Sequence, residues 1–227
     1  MRGKLIVIEG TDCSGKETQS KLLIEALRQE NIKVERFSFP RYDTPTGKII
    51  GGPYLGKPHI CEGWFPEGAP NVDYKVASLY YAADRRYNIG EIEQLLENGV
   101  HVILDRYVYS NMAHQAGKVN SRTRRYEIYR WLENLEFGFL ELPRSDINIF
   151  LHMPSEGAVM LSEKRKEKQD EHEKDIEHLK KAERSYVEIA KYYEFKTIEC
   201  VRDGQIRSIE DIHEEIKNYV FNEFKKR

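Results

Sequence analysis

The residues able to do chemistry fall into ordered clusters, beginning with Gly10-Thr11-Asp12-Cys13-Ser14-Gly15-Lys16. Two glycines five positions apart followed by a lysine make a phosphate cradle. The glycines let the backbone curl and aim N–H groups inward, the following helix adds the positive end of its dipole, and Lys16 carries a mobile charge to the outer phosphates. Glu17 stands where this pattern has Ser or Thr, and Thr18 comes one place later, about 100° further round a helix. Three readings stand: Thr18 supplies the hydroxyl, Glu17 offers magnesium a carboxylate, or the metal is bound mainly elsewhere. A second cluster, Asp105-Arg106-Tyr107, sets a carboxylate able to orient magnesium-bound water beside a guanidinium suited to bidentate phosphate binding.

Both clusters need rigid elements behind them. The apolar run Lys4 to Ile8 enters the cradle as a strand, and Leu22, Leu23, Ala26 and Leu27 recur at helical spacing after it, ending near Asn31. Further strands are expected at Lys33 to Phe39, Val100 to Leu104, Ile147 to Leu151 and Phe195 to Val201. Helices are expected at Thr44 to Ile50, at Val72 to Gly99 with a bend near Asn88-Ile89-Gly90, Val76, Leu79, Tyr80 and Ala83 on one side and Ile92, Leu95 and Leu96 further on, at Arg122 to Leu142 and at Ile209 to Phe224. Residues 51–70, rich in Gly and Pro, read as a long surface loop. Alternating strands and helices give an α/β fold, a five-stranded parallel sheet with helices on both faces and ligands beyond the strands' carboxyl ends. The charged run from Leu161 to Asp175 reads as a solvated helix face or as a lid closing over phosphates.

A chain of 227 residues fits one domain, 1–227, and its 36 basic against 38 acidic residues leave a net charge of −2 with no whole-protein pull toward nucleic acid or an anionic membrane. Cys13, Cys61 and Cys200 are odd in number and far apart, which argues against a disulfide frame or structural zinc. With no leader pattern and no apolar run of about 18 residues, the expected location is the cytoplasm.

Ile8-Glu9-Gly10-Thr11-Asp12 with Gly15-Lys16, Phe39-Pro40-Arg41-Tyr42, Leu79 to Arg85 and Asp105 to Ala113 occur in this order, and together they resemble thymidylate kinases, nucleoside monophosphate kinases of the P-loop NTPase type. Trp131 to Glu136 and Leu151 to Ala158 extend the similarity over most of the chain. The resemblance implies transfer of the γ-phosphoryl group of ATP to dTMP with Mg2+, in a homodimer, with a short lid at about 155–175. It places the donor phosphates on Gly10, Thr11, Asp12, Cys13, Ser14, Gly15, Lys16, Glu17 and Thr18. Arg41, Tyr42 and Arg106 would clamp the acceptor phosphate, Asp12 would lie near the acceptor sugar, Tyr81 would stack on the base, Arg85 with Asn111 would read its polar edge, and Ser110 and Gln115 would complete the acceptor site. Asp105, Asp12 and Thr18 are the implied metal ligands, and Lys16, Asp12, Arg106 and Arg165 the catalytic set. Arg165, with Lys164, Lys166 and Lys168 as alternates, enters because Cys13 occupies a position where some members carry a catalytic arginine. His114 replaces an aromatic residue that often blocks a ribose 2′-hydroxyl. The rival readings are a kinase for a deoxynucleoside or another monophosphate, and a nucleotide-binding regulator without chemistry.

Overall fold

The computed structural model describes residues 2–162 and 176–226. Strand β1 (Leu5–Gly10) is buried along its whole length, because it pairs in parallel with β3 (His101–Asp105) on one side and β4 (Ile147–His152) on the other. With β2 (Val34–Ser38) and β5 (Lys196–Glu199) outside them, the order is β2-β3-β1-β4-β5, all parallel. The strand period of two divides β1 between two cores: Ile6 and Ile8 face one, Leu5 and Val7 the other. The first core is closed by α1 (Lys16–Gln29) through Leu23 and Leu27 and by α8 (Ile209–Lys225) through Ile212 and Ile216. The second is closed by α3 (Tyr74–Glu97), α4 (Val108–Gly117), α5 (Arg122–Glu133) and α7 (Ile176–Tyr192).

Several expectations need correction. The stretch 51–70 is a surface loop only in its middle: residues 56–68 carry no helix or strand and are half-buried or exposed, but α2 (Pro45–Ile49) runs into a π turn at Ile50–Tyr54, and Ile50, Tyr54, Leu55, Ala69, Val72 and Ala77 form a third buried cluster. Glycine makes that packing possible, since a Cβ on Gly52 would stand 2.5 Å from Cys61 Sγ and 2.8 Å from Ile60 Cγ2. Helix α3 is continuous; of its expected apolar positions, Ile92, Leu95 and Leu96 do pack in the core and Tyr80 packs against the third cluster, but Val76, Leu79 and Ala83 face outward. Val76 and Leu79 are 41% and 52% exposed, whereas Ser78, Asp84, Arg85 and Asn88 are buried. Helix α4, unanticipated, is buried throughout. The helix from Arg122 gives way at Asn134–Phe139 to a π turn, and the fifth strand breaks at Cys200 into a small hairpin, β6 (Val201–Arg202) and β7 (Gln205–Ile206). Asp203 and Gly204, at φ 52° and 75°, make its turn. Helix α6 (Ser155–Ser162) begins the expected lid. Its remainder, with Arg165 and the neighbouring lysines, lies outside the described residues.

Candidate active site

The sheet delivers both clusters to one edge, because Gly10 ends β1 and Asp105 ends the adjacent β3. A Cβ on Gly10 would meet Ser14 Oγ at 2.5 Å and the Leu151 carbonyl at 2.8 Å, so only glycine lets the loop fold over the strand end. Cys13 at φ 60° and Gly15 at φ 86° reverse the chain, and Gly15 caps α1, leaving the first N–H groups of the helix at the cradle. Lys16 Nζ folds back on that loop, donating to the Thr11 carbonyl at 2.6 Å and to Ser14 Oγ at 3.4 Å. Burial, and then repulsion from Arg106, lower its pKa to about 8 against the pull of Asp12, Asp105 and Glu9.

Beside the cradle lies an open cavity. Its wall includes Asp12, Tyr42, Tyr81, Arg85, Arg106, Ser110, Asn111 and His114. Arg106, at φ 68°, is held by Asp12 on Nη2, while Nη1 donates to the Gly10 carbonyl (3.2 Å), Ser110 Oγ (3.3 Å) and Tyr186 Oη (3.1 Å). Burial opposes its charge, but Asp12, with Tyr186, Asp105 and Glu9, more than offsets that and keeps the guanidinium protonated at any working pH. Tyr81 offers its ring to the cavity and is braced edge-on by Tyr54 at 5.8 Å. His114 stacks on His178, with Nδ1 and Nε2 3.1 Å apart. Burial holds His114 well below the usual histidine range, so a neutral ring faces the cavity.

Other predicted residues sit differently. Arg41 is outside the wall: its guanidinium bonds Glu91 at 2.8 Å and lies over the Phe37 ring, while its backbone N–H donates to Asp84 at 3.0 Å. Gln115 is fully buried and absent from the cavity lining, and neither end of its amide has a partner among the described residues. Glu17 pairs with Lys21 one turn on at 2.6 Å, both side chains more than half exposed, and Thr18 is exposed too. Asp105 accepts from Arg36 at 3.0 Å, and Arg36 Nε donates to Ser20 Oγ at 2.6 Å. Among the described residues no three His, Cys, Asp or Glu side chains could enclose a metal ion. Magnesium fits such a site when nucleotide phosphates and water supply most of its oxygens; Asp12 and Asp105, which both act on Lys16, are the nearby carboxylates.

Three further residues carry the site and escaped sequence reasoning. Glu9, wholly buried, accepts from the Tyr107 N–H (2.8 Å), the Ser110 N–H (3.1 Å) and Ser110 Oγ (2.5 Å), which ties β1 to the start of α4. Tyr186 on α7 joins the same network through Ser110 at 2.8 Å. Glu136 pairs with Arg85 behind the cavity. A carboxylate inside an otherwise apolar strand was the available signal for Glu9; nothing local marks the other two.

A parallel sheet ending in this cradle defines a P-loop NTPase fold. The model of the thymidylate kinase family matches residues 8–216. The thymidylate kinase of Plasmodium falciparum is 31% identical, over 95% of this chain and 88% of its own length, and that of Schizosaccharomyces pombe is 32% identical over 97% and 93%. The solved thymidylate kinase of Candida albicans superposes with a TM-score of 0.74 at 26% identity, covering 97% of this chain and 92% of that one. The chain belongs to the thymidylate kinase family.

Proposed function

We propose that the protein transfers the γ-phosphoryl group of ATP to the 5′-phosphate of dTMP, giving dTDP and ADP. The observation that carries this reading is the phosphate cradle abutting a cavity whose wall holds Arg106 at the cradle end and Arg85 with Asn111 further in. The acceptor phosphate is neutralised by Arg106, already oriented by Asp12, Ser110 and Tyr186. Lys16 leaves its loop contacts for the donor phosphates, whose charge offsets the burial and the Arg106 repulsion that keep its pKa down. Tyr42 and Tyr81 line the space for sugar and base, and the neutral His114 ring stands beside them. Catalysis is then positioning plus charge stabilisation. Mg2+, when bound, supplies positive charge to the transferring group, with Asp12 and Asp105 as the carboxylates able to hold it through water. Arg41 joins the acceptor phosphate by exchanging Glu91, a half-exposed partner held only weakly.

The outward face of α3 extends the reading. Val76, Leu79, Ala83 and Tyr87 make an exposed apolar stripe at helical spacing, the expected seat of a homodimer. Sedimentation at micromolar concentration should give about twice 26.7 kDa, and a monomer at that concentration excludes it. No helix of the described residues is long and apolar enough to cross a membrane, which accords with a cytoplasmic enzyme acting on small molecules. The deciding experiment is ADP release with ATP and magnesium over a panel of nucleoside monophosphates. The expected result is preferred turnover of dTMP; no turnover with dTMP removes the substrate assignment.

A further inference from the structure

We infer that Glu136 is the positioning residue that fixes which pyrimidine edge the cavity accepts, by holding Arg85 as a donor beside Asn111 as an acceptor. This rests on the reading above, in which Arg85 and Asn111 face the base. Glu136, in the π turn Asn134–Phe139, is fully buried. Its Oε2 accepts from Arg85 Nε at 2.5 Å and its Oε1 from Arg85 Nη2 at 2.7 Å; the same Oε1 also accepts from Asn111 Nδ2 at 2.9 Å. The second hydrogen of that amide goes to the Ser78 carbonyl at 3.1 Å. Both N–H groups of Asn111 are therefore committed, and both to acceptors.

That double commitment decides the orientation of the amide on chemical grounds. Turned the other way, Oδ1 would face a carboxylate and a carbonyl, losing two hydrogen bonds and gaining two repulsions. Oδ1 is thus the atom left over, buried and without a partner among the described residues. Arg85 has likewise spent Nε and part of Nη2, and Nη1 bonds no group among the described residues. Both residues line the cavity. What they still offer is N–H from Arg85 next to C=O from Asn111, locked to one carboxylate.

A thymine or uracil edge answers this order, with its C4 carbonyl to the donor and its N3–H to the acceptor. Cytosine presents N4–H2 and a bare N3, so donor would meet donor and acceptor would meet acceptor. A site built to hydrogen-bond its ligand rejects a mismatched analogue by about 10⁴-fold because its buried groups are left unpaired.

The test compares dTMP, 5-methyl-dCMP, which keeps the methyl group but reverses the edge, and N3-methyl-dTMP. With the wild-type chain, kcat/KM should fall at least about 1,000-fold for the cytosine analogue, and N3-methylation should also be strongly penalised. In Glu136→Gln the side chain offers a donor as well as an acceptor, so one of the two restraints on the Asn111 amide is lifted and only the Ser78 carbonyl still opposes its turning. The preference for dTMP over 5-methyl-dCMP should drop at least about tenfold, mainly through KM. Glu136→Asp, which keeps a carboxylate facing both groups, should retain more of the preference than Glu136→Gln. A folded E136Q with the wild-type ratio overturns the role of Glu136. If E136Q loses its cooperative melt, the wild-type comparison still decides the edge code: equal turnover of dTMP and 5-methyl-dCMP overturns it while leaving the kinase assignment intact. Absence of dTMP turnover by the wild-type chain would instead fail that assignment.

Discussion

The phosphate cradle and the cavity beside it are made by opposite means. On the proposed reading the cradle binds through seven consecutive residues, mostly by backbone N–H groups; its lysine rests on its own loop. The cavity wall is tied together by side chains 25, 51, 94 and 101 positions apart: Asn111 to Glu136, Arg85 to Glu136, Arg106 to Asp12, and Ser110 to Glu9. A site made of backbone tolerates unusual side chains, which is why Cys13 can stand in the loop, and Glu17 in the first turn of α1, without disturbing its shape. A site made of buried ion pairs tolerates few, since removing one partner strands the other charge.

The sharpest way to break this contrast is at Lys16, the one side chain on which the cradle depends. Lys16→Met should lower kcat by roughly 1,000-fold, the scale on which a single preorganised charge contact acts, with dTMP affinity within a few-fold of wild type. Steady-state kinetics and acceptor titration check both, and near-normal kcat would return catalysis to the backbone alone. The same variant sharpens the stability side. Folded Lys16 titrates at about 8 against an ordinary 10.5, so between those values the folded protein holds fewer protons than the unfolded chain and stability rises with pH. The cost of the buried ammonium is complete below pH 8 and relieved toward pH 10.5. Lys16→Met, lacking that cost, should therefore be the more stable protein at pH 7, with its advantage shrinking by about 3 kcal/mol as pH rises. Urea unfolding of both proteins across that range reads the difference, and a constant gap excludes the assignment. The smallest effect belongs to Glu17. Paired with Lys21 on an exposed helix face, it should cost only a few tenths of a kcal/mol when changed to Ala. Activity at saturating magnesium should stay within about twofold of wild type; a large rise in the magnesium requirement would restore Glu17 as a metal ligand.

What the sequence disclosed follows the same division. The strand, loop and helix of the cradle are contiguous, and the buried strands announce themselves as apolar runs, so the sheet and the positions of Gly10 and Asp105 at its edge were legible. Helix α3 misled because composition does not say which side of a helix meets the core. Here Asp84 turns inward to hold the Arg41 N–H, Thr46 and Asn88, while Val76 and Leu79 turn outward. The 51–70 stretch misled because its glycines signal close packing as well as turns. Glu136 and Tyr186 were out of reach, and Glu9 was marked only by its place in an apolar strand, because each acquires its role from partners 25 to 177 positions away.

The central place of β1 has a consequence for how the chain is made. It is translated well before both of its neighbours, which start only at His101 and Ile147. Until both have emerged, Leu5 to Ile8 are an apolar ribbon with two open edges and the cradle has nothing to brace it. Nucleotide cannot help the nascent chain fold during that interval, and slowing translation before residue 147 should lengthen the time this segment spends exposed to chaperones and to aggregation.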